Sequence, residues 1–416
     1  MTAAEDRLLS GLKASFAPGP PKGLGVAVSG GGDSLALLHL LARWRAGGGP
    51  ELAAVTVDHG LRPEAAGEAA LVARACAGLG IAHETLRWGG WDGRGNLPDQ
   101  ARRARYRLIV DWAGRRGLGE VALGHTLDDQ AETVLMRLAR GSGVDGLCAM
   151  AERRRQGRIV LCRPLLWARR AELRDFLRGL GVGWAEDPTN DDPAHDRVLA
   201  RRALAAVLPL GITAEGLVAT AVRMRLARQV LAQAAHDLAR NAARIEAGDV
   251  ILRRDLIDGA PAETRLRLLS HALCWVASAE YRPRFAALTA AMGRVAGGRR
   301  ATLHGCLIMP RKGGYHITRE LASVPGDGPV EALWDRRWRV SGPVAPGVTV
   351  RALGKDGLAQ LPRPRDRTVP EASLLARPAI WQGGRLAAAP LAGWANGWSV
   401  ILARNEADFL TSLILH

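Results

Sequence analysis

The chain has 416 residues, of which 48% are hydrophobic and 24% are charged. This balance excludes a disordered or fibrous protein and predicts a folded chain of two or three domains. Lysine and arginine number 57 against 41 acidic residues, which gives a formal net charge of +16 at pH 7. The positive excess favours a polyanionic partner such as nucleic acid, although an arginine-rich solvated surface would give the same count.

The cysteine spacing and the lack of long apolar runs indicate where in the cell the protein is found. The five cysteines are widely separated and form no C-x-x-C pair, which predicts reduced thiols rather than a disulfide framework. The first residues include Glu5 and Asp6 and lack an apolar signal core, and no apolar run approaches membrane-spanning length. These features predict a cytoplasmic protein without a membrane partner.

The first half of the chain alternates β-rich runs with helical patterns. Strands are predicted at 24–28, 52–57, 81–86, 120–124 and 158–162, and helices at 33–44, 64–78, 98–116, 128–139 and 169–180. Repeated strand–helix units predict a parallel sheet covered by helices, in a Rossmann-like α/β domain that ends near Pro209.

The second half has a different pattern. Apolar residues at four-residue steps predict a long helix over 214–245. Helical patterns at 261–277 and 282–296 follow, and then β-like runs at 301–308 and 314–319. From about residue 325, short β-like runs rich in Pro and Gly predict a small α+β C-terminal domain after this helical module.

A glycine-rich loop follows the first predicted strand, with the sequence Ser29-Gly30-Gly31-Gly32-Asp33-Ser34. A strand, a glycine turn and a helix start direct backbone N–H groups at an anion, and phosphate is the natural occupant. The serines can add hydroxyl donors, and Asp33 can face a metal ion or cap the helix. The loop matches neither the Walker A nor the G-x-G-x-x-G pattern, so a different nucleotide chemistry is implied.

Two further motifs fall at the ends of predicted strands. Asp58 and His59 follow the second strand, where they form either a polar turn or part of an adenosine pocket. The helix that begins near residue 98 carries Arg102, Arg103 and Arg105, which could contact phosphates or a ribose or form a solvated face.

The segment Gly124-His125-Thr126-Leu127-Asp128-Asp129-Gln130-Ala131-Glu132 follows the fourth strand and opens a helix. Asp128 and Glu132 share a helix face and would repel each other unless a cation, such as a lysine ammonium or Mg²⁺, lies between them. The alternative is that the acids only stabilise the positive end of the helix dipole.

Together these motifs carry a resemblance to a known family. The glycine loop resembles that of the N-type ATP pyrophosphatases, which split ATP into AMP and pyrophosphate around an adenylated substrate. The ordered set SGGGDS, VDHGLR, ARRARY, GHTLDDQAET, RLARGSG, RPLL and EDPTND is similar to the tRNA(Ile)-lysidine synthases over about residues 24–205. One departure is Val198, which stands between Arg197 and Arg201 where the family commonly has Asn.

The resemblance implies a reaction and its participants. With Mg²⁺, ATP would adenylate the C2 carbonyl oxygen of the wobble cytidine in the CAU anticodon of tRNA(Ile). The ε-amine of free L-lysine would then attack C2 and displace AMP, so that the codon read changes from AUG to AUA. The domains would be an ATP pyrophosphatase domain (1–210), a mostly helical tRNA-contacting domain (211–325) and a small C-terminal domain (326–416). The sequence leaves the oligomeric state open.

The resemblance also implies roles for single residues. The catalytic set is Asp33, Asp128, Asp129 and Glu132, with Asp33 also the candidate Mg²⁺ ligand. The ATP-binding set is Ser29, Gly30, Gly31, Gly32, Asp33, Ser34, Asp58, His59, Arg105, Gly124 and His125. The tRNA-binding set is Arg137, Arg140, Arg197 and Arg201.

Two other functions compete with this interpretation. Another adenylating tRNA modifier, such as a 2-thiolase, would use cysteines for sulfur or iron–sulfur chemistry, and the absence of C-x-x-C argues against it. A non-catalytic RNA-binding protein is the second alternative. The intact acids in the predicted catalytic set argue against that one, because RNA binding alone favours neutral or basic residues there.

Overall fold

The computed structural model describes residues 2–60, 64–91, 96–186, 196–343, 345–362 and 368–414. The chain divides into two compact units, Met1–Arg228 and Gln229–His416. The predicted division into three domains stays a prediction.

The first unit is an α/β domain. Its strands are β1 (Gly23–Ala27), β2 (Glu51–Asp58), β3 (Ala82–Arg87), β4 (Glu120–Leu123), β5 (Arg153–Gln156) and β6 (Ile159–Cys162). Its helices are α1 (Ala3–Ala14), α2 (Gly32–Ala46), α3 (Ala65–Gly78), α4 (Leu97–Arg115), α5 (Leu127–Ala139), α6 (Val144–Leu147), α7 (Arg170–Gly179) and α8 (Asp196–Val207). Helix α9 (Ala214–Ala242) begins in this unit and ends in the second.

The sheet of the first unit has the strand order β3-β2-β1-β4-β6-β5. The first five strands in this order are parallel, and β5 pairs antiparallel with β6 at the edge. The chain moves outward from β1 to β3 and then returns to the other side of β1 with β4. The boundary between β1 and β4 is therefore the topological switch point, where ligands bind in open α/β sheets.

Helix α2 forms the centre of the first unit's core. Leu35, Leu37, Leu38, Leu40 and Leu41 are all fully buried, so apolar residues cover more than one face of this helix. A helix that is apolar on most sides needs cover on most sides. The sheet lies on one side of α2, and α1 and α7 pack on others. This burial fixes the start of α2, and with it the glycine loop.

The second unit combines helices with small antiparallel sheets. Its five-stranded sheet has the order β7-β8-β11-β10-β9, formed by β7 (Ala243–Glu246), β8 (Asp249–Arg253), β9 (Ala301–Leu303), β10 (Cys306–Arg311) and β11 (Gly314–Arg319). Two smaller sheets contain β12 (Trp338–Ser341) with β16 (Ser399–Leu402), and β13 (Val348–Ala352), β14 (Pro378–Gln382) and β15 (Arg385–Ala388). The helices are α10 (Arg254–Gly259), α11 (Ala262–Ala277), α12 (Phe285–Ala296), α13 (Gly354–Gln360), α14 (Glu371–Ala376) and α15 (Glu406–Ile414).

The mixed α/β class, with a parallel-sheet domain, a helical region and C-terminal strands, is confirmed, but two element predictions were wrong and the edge strand β5 was missed. Helix α9 ends at Ala242, and its predicted last residues form β7. The run 301–308 is two strands with a turn at His304. The antiparallel edge strand β5 was not predicted, because its sequence RRRQ has no apolar alternation.

Within the residues described, no single helix is long and apolar enough to cross a membrane. Asp196–Leu210 and Ala214–Ala242, bent by 100° at the break between them, pass that test together by length and composition alone.

Candidate active site

The glycine loop and the start of α5 lie side by side at the switch point. Strands β1 and β4 pair in parallel, with Ala27 opposite Leu123 near their carboxyl ends. The loop Ser29–Ser34 leaves β1, and the segment that begins at Gly124 leaves β4, so both segments emerge at the same sheet edge. The sheet topology thus brings together two motifs that are about ninety residues apart in sequence.

The glycine loop is shaped as an anion cradle. Gly30 has φ +90°, a conformation that L side chains rarely adopt. Gly31 is the N-cap of α2, and no side chain caps the helix there. Ser34 holds the loop closed, because its hydroxyl donates to the Gly31 carbonyl at 2.9 Å and accepts from the Ser29 N–H at 3.1 Å. Uncapped N–H groups at this helix end can bind a phosphate group.

Gly124 allows the two segments to touch. A Cβ atom at this position would lie 2.9 Å from Ser34 Cα and 3.0 Å from the Asp33 carbonyl oxygen. Both neighbours are backbone atoms and cannot rotate away. Only glycine therefore permits the end of β4 to approach the glycine loop this closely.

A cavity of about 1090 Å³ opens over this edge of the sheet. Ten of the eleven residues predicted to bind ATP line it, namely Ser29, Gly31, Gly32, Asp33, Ser34, Asp58, His59, Arg105, Gly124 and His125. Gly30 shapes the loop and does not line the cavity. Arg197 and Arg201 line the wall together with Asp129, Arg170 and Arg174. The volume is sufficient for a nucleotide.

His125 is a neutral imidazole in this cavity. Burial, with the Asp129 carboxylate opposing it and nearby arginines adding to it, lowers the pKa of His125 to about 3. Its Nδ1 atom is buried and has no hydrogen-bond partner in the structure. A neutral ring with a free nitrogen can exchange a hydrogen bond with a ligand without adding charge.

Arg170 is the cation among the acids. Its guanidinium contacts three carboxylates, which we call the acid cluster: Asp33 at 3.1 Å through Nε, Glu132 at 3.2 Å and Asp129 at 3.2 Å through the two terminal nitrogens. The sequence required a cation here, and the chain supplies its own. The planar fork of arginine suits such a multiple contact, which a lysine could not make.

Two more arginines complete the acid cluster. Arg197 donates to Asp129 at 3.2 Å, and Arg201 donates to Glu132 at 2.9 Å. Burial favours the neutral form of Asp129, but Arg170 and Arg197 outweigh it and lower its pKa. The second oxygen of Asp129 accepts from the N–H and hydroxyl of Thr126 at 2.8 and 2.9 Å, which caps α5. Asp129 is therefore fully bonded.

Asp33 and Glu132 each keep one oxygen without a partner. Asp33 Oδ1 and Glu132 Oε2 are buried and accept no hydrogen bond in the structure. Burial raises the pKa of Asp33 to about 6, although Arg170 opposes that shift. Asp33 lines the cavity, so its unbonded oxygen is an acceptor that a cationic ligand can occupy, whereas Glu132 does not line the cavity.

Four residues of the predicted catalytic and tRNA-binding sets do not line the cavity, namely Glu132, Asp128, Arg137 and Arg140. Asp128 instead docks α7, because its carboxylate accepts from the backbone N–H of Arg170 at 2.7 Å and from the Arg169 side chain at 3.0 Å. Arg137 donates to the carbonyl oxygens of Gly146 and Ala149, and Arg140 pairs with Asp196 at the surface. Their assigned roles stay predictions.

The sequence analysis did not identify Arg170, Arg174 or Trp184 as residues of the site. Trp184 packs against Gly32, with the guanidinium of Arg174 5.8 Å from its ring centroid. A signal for Arg170 was present, since paired arginines open the helix after RPLL while the acids of α5 require a cation. No pattern in the sequence indicates Trp184, because its contact with the loop depends on the path of residues 182–186.

Part of the family motif set lies outside the described residues, namely Leu61, Arg62 and 187–191. Val198, the departure from the family pattern, is buried. It lies on α8 between Arg197 and Arg201, so its apolar side chain packs inward while both arginines reach the acid cluster. An asparagine is not needed to place the arginines.

The cysteines are all free thiols, as predicted. Burial raises the pKa of Cys76 to about 11 and the pKa of Cys162 and Cys306 to about 12. Thiols with a raised pKa are poor nucleophiles and poor metal ligands at neutral pH. None of them lines the cavity over the glycine loop.

Comparison with known proteins adds independent evidence. The PP-loop domain family matches residues 5–208. The tRNA(Ile)-lysidine synthase of Ruegeria pomeroyi is 50% identical over 417 residues, which cover 100% of both chains. That of Bradyrhizobium sp. strain BTAi1 is 46% identical over 62% of this chain and 75% of its own. Among solved structures, the U34-tRNA thiolase NcsA from Methanococcus maripaludis has a TM-score of 0.47 and 16% identity, over 53% of this chain and 79% of that one.

Proposed function

Because the chain belongs to the tRNA(Ile)-lysidine synthase family of ATP-using ligases, we propose that it joins free L-lysine to the wobble cytidine of a CAU anticodon. The proposed reaction has two steps. The C2 oxygen of cytidine attacks the α-phosphate of ATP and releases pyrophosphate. An amine of lysine then attacks C2, and the C2–O bond breaks to release AMP.

The observation that carries this proposal is the uncapped start of α2 beneath the cavity. Gly31 leaves the first N–H groups of the helix without a side-chain cap, and the loop before it is closed by Ser34. Pyrophosphate that leaves ATP carries several negative charges. Fixed N–H groups and a helix dipole stabilise that charge without reorganising in the transition state, so they favour the first step.

The residues present fit a Mg²⁺ ion bound with ATP. Asp33 Oδ1 is a buried carboxylate oxygen without a partner at the glycine loop. Mg²⁺ in nucleotide sites takes one or two protein carboxylates and fills its other positions with phosphate oxygens and water. When bound, it would neutralise charge on the phosphate groups. We therefore propose Asp33 as its protein ligand.

The remaining assignments follow from the same site. His125 would accept or donate one hydrogen bond to the nucleotide as a neutral ring, and Arg105 would contact phosphate or ribose. The acids Asp129 and Glu132 would face the lysine. The arginines of the tRNA-binding set would contact the phosphates of the anticodon loop. We also propose that the reaction takes place in the cytoplasm.

The first step can be tested without lysine. Purified protein, ATP, Mg²⁺ and labelled pyrophosphate should exchange label into ATP only when tRNA(Ile) with C at the wobble position is present. Replacement of that base by U should abolish the exchange. Asp33→Asn should also abolish it, whereas Asp175→Asn, which alters an exposed carboxylate on α7, should not. Exchange that is independent of the wobble base would overturn the proposal.

A further inference from the structure

Among the residues that the structure describes, the three carboxylates of the acid cluster are matched by three arginines. Three carboxylates, from Asp33, Asp129 and Glu132, face three guanidinium groups, from Arg170, Arg197 and Arg201. A lysine cation gains little by approaching a neutral cluster, because its attraction to each acid is offset by repulsion from the paired arginine. An ammonium group can bind here only if one of the arginines breaks its ion pair with a carboxylate.

Burial indicates which arginines those are. The side chains of Asp129 and Glu132 are 7% and 1% exposed, whereas those of Arg197 and Arg201 are 39% and 34% exposed. Both arginines line the cavity, and Glu132 does not. They therefore lie on the cavity side of Glu132, whereas Asp129 itself reaches the cavity wall. Arg170 is 20% exposed, contacts three acids at once and is tied to Asp128 through its backbone, so it is the fixed member.

Glu132 is the acid that remains incompletely satisfied beneath these two arginines. Its Oε1 atom accepts from Arg170 and Arg201, while its Oε2 atom is buried with no partner. A buried ionised oxygen without a donor is costly. An ammonium group has three N–H donors on a compact cation, so it can satisfy both oxygens of the carboxylate.

From these contacts we infer that Arg197 and Arg201 exchange partners during the reaction. Phosphate groups of the bound RNA draw the two arginines away from Asp129 and Glu132, and an ammonium group of lysine takes the vacated place. This inference rests on the proposed function, since it names how the two substrates share that site. Arginine and phosphate pair strongly because both can bond in a bidentate manner, so the exchange leaves no charge unpaired.

The exchange makes the two substrates depend on each other. Without RNA, lysine competes with two arginines of the same chain, so it binds weakly. With RNA bound, the competition is removed. Because coupling between two ligands is reciprocal, lysine tightens RNA binding by the same factor, which for such couplings is about fivefold to 150-fold.

The test measures binding with ATP omitted, so that no ligation occurs. Equilibrium dialysis of radiolabelled L-lysine against the full-length protein should show an affinity at least about fivefold higher when CAU-bearing tRNA(Ile) is present. Filter binding of the tRNA with and without lysine should give the same factor. Arg201→Gln and Arg197→Gln should each raise lysine affinity in the absence of RNA and reduce the coupling.

Arg115→Gln is the matched control, because it removes one positive charge from an exposed pair on α4 and leaves the acid cluster intact. It should change neither lysine affinity nor coupling. Equal lysine affinity with and without tRNA, or folded Arg201→Gln and Arg197→Gln proteins that bind lysine like the parent, would overturn the inference. Pyrophosphate exchange that still depends on the wobble cytidine would show that the proposed function survives that result.

Discussion

At the end of β4, Gly124 lies against the backbone of Asp33 and Ser34, and this contact holds the glycine loop in place. Two segments that bind one ligand must keep a fixed separation, and here the separation is smaller than a side chain allows. The residue carries no chemistry of its own. Its contribution is the space that a missing Cβ atom leaves.

Gly124→Ala should therefore disturb the loop rather than only the strand. The added carbon would meet backbone atoms at 2.9 to 3.0 Å, and relief requires a shift of the loop. We expect a loss of about 1–3 kcal/mol in the free energy of unfolding and a loss of tRNA-dependent pyrophosphate exchange. Gly119→Ala is the control, because no atom lies within 4 Å of its Cβ position. Normal exchange by Gly124→Ala would contradict the account.

His125 links the stability of the protein to pH. Its pKa in the folded protein is about 3, below the ordinary value of 6.5, so between these values only the unfolded chain binds a proton at this residue. Its contribution to stability is complete above pH 6.5 and declines as the pH falls. At pH 5 the loss relative to pH 7 should be about 2 kcal/mol.

The measurement is urea unfolding of the parent protein and of His125→Gln at pH 7 and pH 5. Between these pH values the parent should lose about 2 kcal/mol more free energy of unfolding than the variant. Other titrating groups, such as Asp33, are common to both proteins and cancel in the difference. If both proteins lose the same free energy of unfolding between pH 7 and pH 5, His125 takes up a proton in the folded state.

At the scale of elements, α7 is attached to α5 by charge. Arg170 opens α7 and reaches three acids, while Asp128 on α5 accepts from the first N–H of α7. The acids of α5 thus position a neighbouring helix as well as facing the cavity. Since Asp129 and Glu132 are buried, their charges need compensation, which Arg170 of α7 shares with Arg197 and Arg201 of α8.

Arg170→Met should destabilise the first unit severely, by about 3–5 kcal/mol, because it leaves buried carboxylates without their shared partner. Arg178→Met is the matched change on the same helix. Arg178 pairs with Asp175 at the surface, where both side chains are more than half exposed, and its loss should cost less than about 1 kcal/mol. Chemical denaturation of both variants distinguishes the two cases. A similar loss of unfolding free energy in Arg170→Met and Arg178→Met would mean that the acid cluster does not depend on Arg170.

The sequence predicted the elements that have a clear period and missed those that do not. The strands that form the centre of the sheet and the helices between them are apolar at the expected spacing, so they were found. Strand β5 is polar because it lies at an edge, and β7 was taken as the end of a helix. Each is a four-residue strand that pairs with the next strand through a short turn, and so short a run carries too little periodicity to identify a strand.

The residues of the site also divide into those that the sequence predicted and those that it missed. The glycine loop and the acids of α5 were predicted from motifs whose geometry is local. The partner of those acids is not local, since Arg170 is more than forty residues beyond Asp128 and is placed by the packing of α7 on α2. Sequence reasoning identified the need for a cation, and only the fold identifies which residue supplies it.

At the scale of the whole molecule, composition and site point to the same partner. The net charge of +16 favours a polyanion, and the cavity over the glycine loop carries arginines at its wall. The cysteines argue against the 2-thiolase alternative, because burial raises their pKa and none of them lines the cavity. Sulfur transfer would need a reactive thiolate at that position.

Under the proposed function, the protein joins lysine to one base of one tRNA. The direct measurement incubates the protein with ATP, Mg²⁺, radiolabelled L-lysine and tRNA(Ile) transcripts that carry either C or U at the wobble position. We expect lysine in the C-bearing transcript alone, with one AMP released for each lysine joined. Lysine in both transcripts, or none in either from a folded protein that binds the tRNA, would contradict it.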